Sequence, residues 1–147
     1  MAQQNPVQKK PISGPAGKSL PASQQAERAV LSALLLNSDN IAIISDTLRP
    51  SDFYYRKHQL IFDAIIELFQ QNKKIDLVVL QDLLVTKNKL EEVGGISYLL
   101  ELQEDIPSIG LVEEHSKIVK EKAVLRNLIT ESADIIGSCY SQKEQIG

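Results

Sequence analysis

Leu60, Ile61, Ala64, Ile65, Leu68 and Phe69 recur at i, i+1, i+4, i+5, i+8 and i+9, laying a wide apolar stripe along a helix over about 54–70. Upstream, Ala26, Ala29, Val30, Ala33 and Leu34 are spaced for one helical face behind Ser23, a residue type suited to the N-cap. The run Asn37-Ser38-Asp39-Asn40 ends that helix with turn chemistry. A short second helix is expected over about 41–48, stopped at Arg49-Pro50 because a residue before proline avoids helical backbone. Past the break at Asn72-Lys73-Lys74, Asp76 stands where an N-cap belongs, with Leu80, Leu83 and Leu84 inward on the helix behind it. Gly94-Gly95 permits a sharp turn, and residues 96–103 make one more short helix closed by Ile106-Pro107.

A long helix follows over about 112–140. At 100° per residue, Val124, Leu125, Leu128, Ile129, Ile135, Ile136 and Cys139 fall within roughly 140° of one another, with Arg126, Asn127, Thr130, Glu131 and Asp134 opposite. Ile118, Leu125, Ser132 and Cys139 also share a seven-residue spacing, so a coiled-coil-like seam is expected. That stripe is broad for a helix whose obvious neighbour is only the short helix over 96–103. It packs either on the rest of the chain or on another copy, and its breadth favours an interface formed by Ile118, Leu125, Leu128, Ile129 and Ile136. Leu34, Phe53, Ile61, Phe62, Ile65, Leu80 and Leu84 are expected in the core of the N-terminal part. No strand-like alternation or internal repeat stands out; the fold class is all-α.

At 147 residues the chain is one domain long, and 43% hydrophobic with 24% charged residues fits an ordinary soluble globular protein. The net charge of -3 gives no global basic footprint for nucleic acid. Lys9, Lys10 and Lys18 nevertheless make residues 1–20 a local basic segment without acids, and its prolines and glycines read as a flexible tail. The single Cys139 suits a reducing compartment, and neither a signal peptide nor a spanning segment is evident, so the cytoplasm is the expected location.

Little catalytic chemistry can be found. The stretch from Gly14 to Ser19 mimics a phosphate-binding loop but has two residues between its glycines where four are needed, so it is read as a coincidence. His58 and His115 lack a metal-ligand spacing, and a lone histidine on a bundle helix is more often packed or exposed than a ligand. Glu91-Glu92 and Glu113-Glu114 diverge by about 100° on a helix and are read as solvated charges rather than acid–base pairs. No catalytic, cofactor or metal site is expected in this segment.

The order of the blocks adds a resemblance. The run from Pro21 to Leu31, including Ala26-Glu27 and Val30-Leu31, resembles the opening signature of the bacterial replicative helicases of the DnaB type. Asp52-Phe53-Tyr54 with His58, Ile61-Phe62 and Ala64-Ile65 resembles the next block; Ile75-Asp76 with Leu80 and Leu84, then Gly94-Gly95 with Tyr98-Leu99 and Leu102, resemble the two after it. Ile118-Val119, Lys122, Leu125-Arg126 and Leu128-Ile129 resemble the last. Departures are Ser32 where the family often has glycine, His115 where tyrosine is common, and Gly110 where asparagine often caps the long helix.

The resemblance implies a compact helical bundle head (21–93) and a helical hairpin (94–140) carrying the long C-terminal helix, after the basic tail (1–20) and before the start of a linker (141–147) to an absent motor domain. In such helicases these domains pair within a hexameric ring, form a collar, and dock primase and sometimes a loader. ATP and Mg are handled by the motor domain, which also makes the main contact with DNA and unwinds the duplex. The resemblance therefore implies a non-catalytic assembly and docking segment. The competing readings are the helicase-binding domain of a primase, a stand-alone helical adaptor, and a DNA-binding module using Arg49, Arg56, Lys57 and the tail lysines.

Overall fold

The computed structural model describes residues 19–105 and 111–146. The tail apart from Ser19 and Leu20, the mimic of a phosphate loop apart from Ser19, the Ile106-Pro107 break and Gly110 lie outside the described residues. Among the described residues there are six α-helices and two 3-10 turns: α1 Gln24–Leu36, α2 Ile41–Ile44, α3 Arg56–Gln70, α4 Leu77–Thr86, α5 Gly95–Glu104 and α6 Val112–Ile146, with the turns at Ser38–Asn40 and Pro50–Asp52. The all-α class is the observed one.

Local chemistry accounts for the boundaries. The Ser23 hydroxyl accepts from the Ala26 N–H and the Asp76 carboxyl from the Val79 N–H, each satisfying an orphan donor in a first turn. Between α1 and α3 the expected helix over 41–48 is a single turn ending at Ile44, continued by shorter-range bonds such as Thr47 N–H to the Ile44 carbonyl. The tightening lets Ile41, Ile44 and Leu48 all face the core within eight residues. Gly94 (φ 104°) and Gly95 (φ 73°) are both left-handed at the start of α5. A Cβ at Gly94 would stand 2.8 Å from the Tyr98 Cβ, so both conformation and space demand glycine there. α6 continues to Ile146, beyond the expected end near residue 140, because a lone Gly137 weakens a helix without breaking it.

The described residues form two compact units, one within 22–121 and the other of residues 19–21 with 122–146, the boundary falling within α6. In the first, one apolar cluster joins α1 to α5 with the Pro50–Asp52 turn region and Val119 of α6. Phe53 and Phe62 pack within it with ring centroids 4.8 Å apart and planes tilted by 37°. Leu34, Ile61, Ile65, Leu80 and Leu84 are buried with them. α5 lies against α1 and α4, so Leu99 and Leu102 belong to the same cluster. Asp52 accepts from the Arg49 N–H at 2.9 Å and from Lys120 Nζ at 3.2 Å, tying the opening turns of α6 to the segment before α3. In the second unit, the Arg126 guanidinium donates to the Pro21 carbonyl at 2.8 Å.

Candidate assembly and docking surface

The first unit contains a buried polar chain across three helices. Glu27 in the first turns of α1, His58 in α3 and Tyr98 in α5 are almost completely shielded from solvent. Both Glu27 carboxyl oxygens accept: Oε2 from the Tyr54 N–H at 2.7 Å, Oε1 from His58 Nδ1 at 2.7 Å and from the Tyr55 N–H at 3.4 Å. His58 Nε2 lies 2.7 Å from the Tyr98 hydroxyl. Burial pushes the Tyr98 phenol above its usual range, so it keeps its proton and donates to Nε2, while Nδ1–H donates to Glu27. Glu27 thus supplies acceptors for N–H groups ahead of α3 that no helical carbonyl reaches. The proton inventory closes with every group partnered, which is what lets three polar side chains sit in an apolar cluster.

Above this chain the surface is charge-balanced. Arg28 donates to Asp105 at 2.7 Å and Glu101 at 3.0 Å, and these partners hold its guanidinium proton more firmly than usual. Arg28 also lies over the Tyr98 ring at 5.5 Å, and the Lys57 ammonium lies 3.8 Å from the ring centroid. Arg56 pairs with Glu92, and Lys87 with Glu67, whose carboxylate raises the lysine above its usual range. A groove of about 420 Å³ between α3 and α4, edged by Arg56, Asp63, Lys87 and Lys89, is consequently neutralised rather than basic. Among the described residues no cluster of His, Cys, Asp and Glu could hold a metal ion, and no helix is long and apolar enough to cross a membrane. Glu91, Glu92, Glu113 and Glu114 are exposed, and His115 is half-buried.

α6 carries two unlike faces. Its buried positions are Ser116, Val119, Ala123 and Arg126, a narrow row of mostly small side chains. The apolar stripe lies on the other side. Leu125, Leu128 and Ile136 are 45%, 56% and 54% exposed, Ile118 sits at the edge of exposure, and Ile129 is half-buried. Val124, Ile135, Tyr140 and Cys139 are exposed along the same side. At 100° per residue these positions run from about 240° to 40° with Ile118 at zero, whereas the buried row runs from about 80° to 160°. Among the described residues nothing covers this apolar strip.

Residues 19–121 match the model of the DnaB-like helicase N-terminal domain. The chain belongs to that family. Among curated relatives it is 41% identical over 123 residues to the replicative DNA helicase DnaB of Pasteurella multocida, covering 84% of this chain and 26% of that protein. It is 36% identical over 126 residues to the replicative DNA helicase DnaC of Bacillus subtilis, covering 86% of this chain and 28% of that protein. The chain thus spans little more than a quarter of the length of these helicases. Among solved structures, the N-terminal domain of DnaB helicase from Mycobacterium tuberculosis superposes with a TM-score of 0.81 at 34% identity, over 84% of this chain and 89% of that one. A DnaB-like replicative helicase, studied with its interactions with primase, superposes with a TM-score of 0.71 at 26% identity, over 84% of this chain and 29% of that one. The helicase family is therefore the correct side of the choice between a helicase and a primase domain.

Within this DnaB-like domain, Glu27, His58 and Tyr98 come from three separate sequence blocks, and the fold brings them to a single hydrogen-bonded chain. Periodicity reads none of the three as a partner of the others. A usable signal exists, however. His58 falls in register with Ile61, Ile65 and Leu68, Glu27 with Val30, Leu31 and Leu34, and Tyr98 with Leu102, so each is a polar residue on an apolar face.

Proposed function

We propose that this chain is the assembly and docking segment of a replicative DNA helicase, pairing with copies of itself through the outer face of α6 and presenting the helical head to primase. The bare apolar stripe from Val124 to Tyr140 carries the reading, because nothing among the described residues covers it and its extent suits a partner helix. Primase as partner is supported by the related helicase whose interactions with primase were studied structurally. The relatives' greater length and helicase names support a parent motor that uses ATP and Mg and makes the main contact with DNA, with this segment contributing no catalytic group. Assembly into a hexameric collar and contact with a loader complete the proposal, in the cytoplasm where replication proceeds. The test is the native mass of the chain across a concentration series. A dimer or larger species that Leu128→Glu with Ile136→Glu converts to folded monomer is expected; a monomer up to about 100 μM, a range where weak specific interfaces still associate, would overturn self-pairing. Primase binding is checked by titrating the chain with primase, where saturable binding is expected and its absence would remove that partner.

A further inference from the structure

The N-terminal segment is rooted on α6. The buried Arg126 guanidinium donates to the Pro21 carbonyl at 2.8 Å, so the chain ahead of α1 starts beside the stretch of α6 that carries the bare apolar stripe. Eighteen residues precede Ser19, and their larger apolar side chains are Met1, Val7 and Ile12. Val7 and Ile12 flank Lys9-Lys10, and no acid occurs among the eighteen. Between residues 123 and 142 of α6, the charged residues other than Arg126 are Glu131 and Asp134. Both are exposed and make no ion pair among the described residues. We infer that residues 7–12 of the chain's own N-terminal segment dock on the α6 stripe, Val7 and Ile12 on its apolar side chains and Lys9-Lys10 against Glu131, and so hold back the self-pairing proposed above, a reading on which this competition rests.

The lengths agree. An extended segment rises about 3.1 Å per residue, so Val7 and Ile12 stand about 16 Å apart. Leu125 and Ile136, eleven residues apart on a helix rising 1.5 Å per residue, are separated by about the same distance. With Val7 over Leu125 and Ile12 over Ile136, Lys9 and Lys10 come level with residues 129–131. Glu131 projects about 20° from Val124 and 40° from Ile135 at 100° per residue, which puts its carboxylate at the edge of the stripe beside them. The return path is also long enough. Nine residues join Ile12 to Pro21, about 28 Å when extended, and the route from Arg126 along and half around the helix to Ile136 is about 22 Å. Gly14, Pro15 and Gly17 lie in that stretch, where the chain must reverse direction. A segment tethered this closely acts at an effective concentration of about 1 mM, so weak contacts are enough to occupy the face.

Both copies must shed the segment before they pair. If it covers the face about two-thirds of the time, about one-third of each copy is competent, and the apparent dimer dissociation constant rises about tenfold. The experiment is sedimentation velocity of the whole chain across a concentration series, beside a chain lacking residues 2–18 and beside Lys9→Glu with Lys10→Glu, whose length is unchanged. Both variants keep Ser19 to Pro21 and hence the bond from Arg126. Dimerisation about tenfold tighter in both variants is expected. Equal association of all three would overturn the docking and leave self-pairing standing. Tightening by the deletion alone would also overturn it, because bulk rather than the lysine contact would then explain the effect. If all three stay monomeric throughout, self-pairing falls and the docking is judged from Cys139, an exposed thiol three residues beyond Ile136 on the same face. Slower alkylation of Cys139 in the whole chain than in either variant sustains the docking, and equal rates overturn it. Far-ultraviolet circular dichroism of each variant shows that its helices are intact.

Discussion

Replacing Glu27 by alanine should be among the most damaging single changes outside the aromatic core. The substitution deletes the acceptors of two short hydrogen bonds, from the Tyr54 N–H and from His58 Nδ1, each 2.7 Å long and inside an almost fully shielded site. A buried donor left without a partner costs about 1–3 kcal/mol, so two cost about 4 kcal/mol in sum, and a small cavity is added. His58 cannot turn to water, because its other nitrogen is held by Tyr98. For a domain of this size about 4 kcal/mol lowers the midpoint of thermal unfolding by roughly 15 °C. Glu27→Gln keeps one acceptor but turns an N–H₂ toward the other donor, so about half the loss is expected. The assay is urea unfolding followed by circular dichroism, with an unchanged slope and a shifted midpoint. A loss below about 1 kcal/mol for Glu27→Ala would refute the reasoning, since it would mean that water or rearranged side chains satisfy those donors.

Gly94→Ala should destabilise by about 2–3 kcal/mol, because a left-handed φ of 104° combines with a 2.8 Å approach to Tyr98, whereas Gly95→Ala, at φ 73° with open space around it, should cost about 1 kcal/mol; urea midpoints of the two variants compare them directly. Asp76→Ala removes the cap of α4 and should cost about 1 kcal/mol in the same assay. Tyr98 gives a pH dependence whose sign follows from its raised value: the group's contribution is fully present below the ordinary phenol range near 10 and is lost as pH rises through the higher folded value. Tyr98→Phe should therefore be less stable than the parent by about 1 kcal/mol at pH 8, with the gap shrinking above pH 10 in thermal unfolding, and a gap constant to pH 11 would argue against a buried phenol.

The helices were legible where the causes are local. Ser23 and Asp76 cap because a short polar side chain reaches an N–H three residues on, and the stripe from Leu60 to Phe69 needs only its own spacing. What the sequence withheld depends on distant partners. His58 meets Glu27 from 31 residues away and Tyr98 from 40, and no spacing rule links such separations. Arg126 stands on the polar side of α6, yet it is buried and bonded to a backbone carbonyl 105 residues earlier. The blocks that carry the resemblance contain Glu27, His58 and Tyr98, which the fold joins in one hydrogen-bonded chain.

α6 shows why amphipathicity alone could not decide which side faces inward. The burial rule expects the more apolar face to be covered, since each shielded methylene contributes roughly 0.8 kcal/mol. On this helix the covered side is Ser116, Val119, Ala123 and Arg126, and the leucines and isoleucines face outward. Small residues permit close packing, so they identify a tight contact that a hydrophobicity pattern underrates. The larger side chains on the opposite side are uncovered among the described residues, and leaving them in water forgoes the burial free energy they could contribute.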